Sequence, residues 1–130
     1  MIILGAALTL LVGAASLLSA AAKLTYAEPV LETLETVGVG TRMSPTLPWV
    51  QFYGALGALL GMVVMQDLPA VGVTALACLS LYYAWGVAFH VRAGSGPRRD
   101  AFPAALCVLS AVGSAVMAAT AATAGAAVTF

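Results

Sequence analysis

Residues 43–91 read MSPTLPWVQFYGALGALLGMVVMQDLPAVGVTALACLSLYYAWGVAFHV, and Asp67 is the one charged side chain among them. An α-helix needs about 20 apolar residues to cross the hydrocarbon core of a bilayer. Two such runs, 43–66 and 68–91, meet at Asp67 and Pro69. A connection that short forces the two helices to be antiparallel neighbours. Outward from this pair the pattern repeats. Residues 1–22 and 101–130 contain no Asp, Glu, Lys or Arg. Nine of the ten charged residues fall in two stretches: Lys23, Glu28, Glu32, Glu35 and Arg42, then Arg92, Arg98, Arg99 and Asp100. Four spans, at about 2–22, 47–66, 70–91 and 101–125, bring both charged stretches to one side of the membrane.

Composition agrees with this. Hydrophobic residues make up 62% of the chain and charged residues 8%, against roughly 25% charged in a soluble domain. The expected fold is all-α: residues 1–130 form a single integral membrane domain, a four-transmembrane-helix bundle. The formal net charge of zero gives no reason to expect nucleic acid as a partner. The first run has no basic segment ahead of it and ends, rather than begins, at Lys23, so it reads as a retained span and not as a signal peptide. Cys78 and Cys107 fall in mid-span without CxxC or Cys/His spacing, which points to inert buried thiols and to no metal site.

Within span one, Thr9, Gly13, Ser16, Ala20 and Lys23 recur at intervals of three and four and so share a face. Small residues on such a face let another helix approach closely, and the same stripe makes a polar path to Lys23. Residues 26–44 read differently. Pro29 suits a first helical position and Gly38 a C-terminal cap. Val30, Leu31, Leu34 and Val37 lie opposite Glu28, Glu32 and Glu35. This predicts a short amphipathic helix, lying in the interface or folding over the bundle mouth. Gly54, Gly57 and Gly61 give span two a small surface for tight packing. The Lys/Arg count, five on the side of the charged stretches and none on the other, predicts that 23–48 and 92–100 face the cytoplasm. The expected location is a bacterial plasma membrane.

The residues able to carry chemistry gather at that polar end. Lys23 is either a cation snorkelling to the interface or a group that pairs with Glu28 or Glu32 or holds an anionic or carbonyl head group. His90, the one histidine, is either hydrated at the interface or a proton-transfer group. Glu28 is the carboxyl best placed to be a general acid if its helix folds inward, because desolvation and like charge would keep it protonated. Gln51 either hydrogen-bonds a carbonyl oxygen or locks two helices together. Tyr82, Tyr83, Trp85 and Phe89 either pack and anchor at the interface or stack on a flat or cationic ligand. Tyr26, Trp49 and Arg92 complete the set expected around the mouth.

Three stretches carry a family resemblance: Ala22-Lys23-Leu24, Gly54-Ala-Leu-Gly-Ala-Leu-Leu-Gly61, and Ala88-Phe89-His90-Val91-Arg92-Ala93-Gly94. Together they resemble the DoxX-like family of small four-helix membrane proteins. The resemblance implies the four-helix bundle and a link to quinone-coupled redox chemistry, such as thiosulfate oxidation, with quinone as the cofactor. Lys23 and His90 match the family pattern. Gln51 stands where such proteins often carry an acidic residue.

Three functions follow as expectations. The first is binding of a lipophilic small molecule, of quinone or isoprenoid type, at the polar mouth. The second is a membrane-embedded cyclase or isomerase using Glu28, His90 and Lys23 as acid–base groups. The third is a non-catalytic subunit or scaffold, a homo-oligomer or a partner of another membrane protein, packing through its small-residue faces.

Overall fold

The computed structural model describes residues 2–25, 46–64, 68–94 and 96–128. They form four helices: α1 (Ile2–Leu24), α2 (Leu47–Val63), α3 (Pro69–Ala93) and α4 (Pro97–Val128). The amphipathic helix expected over 26–44, with Tyr26, Glu28, Glu32 and Glu35, lies outside the described residues, as does Asp67.

Local chemistry sets the helix ends. The Thr25 hydroxyl donates to the carbonyls of Ala21 and Ala22 at 2.9 and 3.2 Å, closing α1. Proline stands in the first positions of α2 and α3, where a missing N–H costs nothing. Gly94 ends α3 at φ 64, a left-handed conformation that glycine adopts without a Cβ clash. Its N–H returns to His90 and Val91.

The helices pack in the cyclic order α1–α2–α3–α4, each against two neighbours. Direction alternates, so the C-terminal ends of α1 and α3 and the N-terminal ends of α2 and α4 share one side. Helices α1, α3 and the Asp100–Gly125 part of α4 are long and apolar enough to cross a bilayer. Helix α2 is shorter than the expected 47–66. It has 17 residues, or about 25 Å, the low end of what spans a membrane.

The distribution of side chains is inverted relative to a water-soluble bundle. On α1 the buried face is Gly5, Thr9, Val12, Gly13, Ser16 and Ala20, while Leu10, Leu11 and Leu18 are exposed, the last at 73%. Large apolar residues cover the outside of the other helices too, among them Leu60, Leu81 and Val108. Such a surface would drive aggregation in water; in lipid it is the solvated face. The protein is an integral membrane bundle.

Inside, helices approach closely because their facing residues are small. A Cβ built on Gly61 of α2 would fall on the backbone of Gly72 in α3. The Met117 methyl of α4 covers the same crossing, 2.6 Å from where a Gly72 Cβ would stand. Gly57 faces Ala75 of α3. The small surface of α2 is thus consumed inside the chain. The tight packing expected of these glycines is made against α3.

Hydroxyls stitch α3 to α4. Ser114 donates to the Val73 carbonyl at 3.0 Å, and Ser80 to the Cys107 carbonyl at 3.2 Å. Measured interhelical hydrogen bonds of this kind in membranes average ~0.6 kcal/mol. Ser114→Ala should therefore lower stability by about that amount, read as a small drop in denaturation midpoint in detergent. No change in midpoint would show that this bond is idle.

Candidate functional site

Lys23 lies in the last turn of α1. From there its ammonium reaches three neutral oxygens: Gln51 Oε1 at 2.6 Å, Tyr82 OH at 3.2 Å and Ser19 Oγ at 3.3 Å. It also sits 5.6 Å from the centre of the Tyr82 ring, within cation–π range. An ammonium has three hydrogens and no lone pair, so these partners use it fully. No carboxylate of the described residues contacts it.

The charge on Lys23 orders the rest of the network. Because the ammonium only donates, the Gln51 side chain must turn its carbonyl toward it. The Gln51 amide then donates from Nε2 to Tyr83 OH at 2.7 Å. The Tyr83 hydroxyl also shares a hydrogen bond with Ser16 Oγ, 2.6 Å away, in which either oxygen can be the donor. The chain Lys23–Gln51–Tyr83–Ser16 leads from the bundle end toward its middle, with donation running from Lys23 through Gln51 to Tyr83. Ser16 lies seven residues before Lys23 on α1, about 10 Å deeper along the axis. Gln51 and Ser16 are wholly buried and Tyr83 is 3% exposed. Members of such a network strengthen one another in a low-dielectric interior.

Tyr82 and Tyr83 are adjacent in sequence yet play different parts. Their rings meet edge to face at 5.3 Å. Tyr83 points into the core, where it touches α1 and α2. Tyr82 stays partly exposed and sends its own O–H toward Gln51 Oε1 at 3.5 Å, a long contact for a hydroxyl donor.

The remaining expected residues lie apart from this network or at its edge. His90 is about two turns beyond Tyr83 on α3. Its Nδ1 is 3.5 Å from Asp100 Oδ1 in the first turn of α4. Trp85 and Phe89 meet edge to face at 4.4 Å, and Trp85 is partly turned outward. Trp49 packs on Phe52 and Tyr53 on the outer face of α2. Arg92 is exposed. The single aromatic lining expected around His90 is thus divided: the two tyrosines join the Lys23 network, and Trp85 and Phe89 form a separate edge-to-face pair.

Two participants escaped the sequence reading. Ser19 is an i, i+4 neighbour of Lys23, a spacing that places both on one helix face and could have marked it. Asp100 was read only as a loop charge. The short link through Gly94 and Gly96 is the signal that brings it to His90.

A membrane-embedded four-helix bundle with a lysine-centred polar cluster at one end is the class this fold and cluster define. The chain belongs to the DoxX-like family, which matches residues 7–114. Comparison with curated proteins and with solved structures gave no match.

Proposed function

We propose that this protein binds a lipophilic small molecule with a carbonyl-type head group, of quinone or isoprenoid kind, at the Lys23 end of the bundle. The polar end, with its charged stretches at 23–48 and 92–100, is the cytoplasmic one in a bacterial plasma membrane. The observation that carries this reading is the hydroxyl of the partly exposed Tyr82 beside the Lys23 ammonium. Among the described residues its donor has only the long 3.5 Å contact to Gln51 Oε1. A ligand oxygen placed beside Tyr82 would accept from its hydroxyl and, by displacing the 3.3 Å contact to Ser19, from Lys23 as well, while its apolar tail runs along the lipid-facing surface. Hydrophobic surroundings with a few convergent polar groups are the usual make-up of a small-molecule site.

Tyr82→Phe removes the hydroxyl and keeps the ring. It should lower affinity for a short-chain quinone or isoprenoid carbonyl compound about tenfold, in keeping with the loss of one hydrogen bond to a ligand, with helical content unchanged. Titration of the protein in nanodiscs, wild type against variant, reads this directly. Equal affinities would remove Tyr82 from the site.

A further inference from the structure

We infer that the head group is an anion, a carboxylate on an isoprenoid or acyl tail, and that the charge of Lys23 selects it; the inference rests on the lipophile reading above. The Lys23 ammonium is held by Gln51 Oε1, Tyr82 OH and Ser19 Oγ at 2.6, 3.2 and 3.3 Å. All three oxygens are neutral. Among the described residues no carboxylate reaches it, and the one ion pair at this end joins His90 to Asp100. Neutral hydrogen bonds solvate an ammonium but leave its charge uncancelled. In a low-dielectric bundle such a charge is unfavourable for the protein alone and attracts an anion strongly.

The direction of the side chain supports this. A lysine that only anchors the end of a span sends its ammonium outward to the interface. Lys23 instead contacts Ser19, one turn deeper on α1, and two side chains of neighbouring helices. The charge is thus held within the bundle end, yet Lys23, Ser19 and Tyr82 all remain partly exposed. Arg92 and Arg98, at the same end, are exposed. They raise the local concentration of an anionic amphiphile without fixing its position.

Hydrogen bonding alone would admit several neutral head groups, since a ketone, an amide or an alcohol can each accept from Tyr82 and Lys23. Charge separates them. An ionised carboxylate has two oxygens and about four lone-pair sites. One oxygen can accept from Tyr82 and the other from the Lys23 hydrogen now shared with Ser19 at 3.3 Å. Hydrogen bonds to an ionised acceptor are roughly twice as strong as those to a neutral one. A neutral head group takes the same hydrogens and leaves the ammonium uncancelled.

The test uses the full chain in phosphatidylcholine nanodiscs, with empty nanodiscs correcting for partition into lipid. Farnesoate is compared with farnesamide and laurate with lauramide, at a pH where the acids are ionised, and decyl-1,4-benzoquinone is the neutral reference. The expected result is that the carboxylate of at least one pair binds about tenfold more tightly than its amide, the pair that does so identifying the tail. Lys23→Arg keeps the charge and should keep the preference. Lys23→Gln keeps a donor without the charge and should bring the ratio near one, with helical content unchanged. Equal binding within the pairs overturns the inference and leaves the lipophile reading standing; the ammonium is then already matched within the chain, where Glu28, Glu32 and Glu35 are the carboxylates near it in sequence. A preference that survives Lys23→Gln overturns the role given to Lys23. Binding of the quinone alone also overturns the carboxylate and keeps the lipophile reading. If none of these compounds binds, both fail.

Discussion

Gly61→Val is expected to prevent the bundle from forming. The substitution places a branched side chain where α2 crosses α3 at backbone distance, and the first added carbon already overlaps Gly72. Flexible side chains can yield to an added methyl, but here the obstacle is the main chain of a second helix. The helices must separate, which also removes the Met117 methyl from its seat over Gly72. Overpacking of a core costs about 1–3 kcal/mol and occasionally more, and an obstacle made of backbone belongs at the upper end. The variant should appear as aggregate in size-exclusion chromatography in mild detergent, or lose its cooperative unfolding transition. Gly125→Ala is the control, because none of the described residues lies within 4 Å of the added carbon; it should behave as wild type. A monodisperse Gly61→Val protein of normal stability would show that the helices are spaced more widely than described.

The second large effect belongs to Gln51. Gln51→Leu leaves the Lys23 ammonium without its shortest acceptor and Tyr83 without its donor. Deleting one partner of a partly buried hydrogen-bonded charge costs roughly 1–3 kcal/mol, because the charge that stays behind is left undersolvated. Lys23→Met removes that charge, so the double variant Lys23→Met, Gln51→Leu should be less damaged than the sum of the single changes. A coupling of about 1–3 kcal/mol is expected for residues in one network, measured by denaturation of all four proteins in the same micelles. Strict additivity would mean that Lys23 and Gln51 do not share a bond in the folded protein.

Much of the bundle was legible because each helix writes its buried face into its own spacing. Thr9, Gly13, Ser16 and Ala20 recur at three and four, and all are buried. The antiparallel pairing of α2 with α3 followed from the shortness of the link at Asp67, and the gathering of Lys23, Gln51 and His90 at one end followed from alternation of four spans. Facts that depend on two helices at once were not legible. Gly61 was a candidate for close packing, but its seat against Gly72 depends on the axial register of α2 and α3, which no single periodicity encodes. Helix α3 is apolar nearly all round, so spacing alone grouped Tyr82 with Trp85 and Phe89; packing separates them, because Tyr82 faces Lys23 while Trp85 turns outward. Gln51 had two readings, ligand contact or helix lock. The structure shows its amide bonded on both sides, to α1 and to α3.

The central claim is that a carbonyl-headed lipophile occupies the Lys23–Tyr82 end of the bundle. Native mass spectrometry of the protein released from membranes, with organic extraction of what it retains, tests this most directly. The predicted result is a stoichiometric lipophile, distinct from phospholipid and bearing a carbonyl, that is lost from a Lys23→Met, Tyr82→Phe variant whose helical content is intact. Retention of ordinary phospholipid alone, equally in wild type and variant, would contradict the claim.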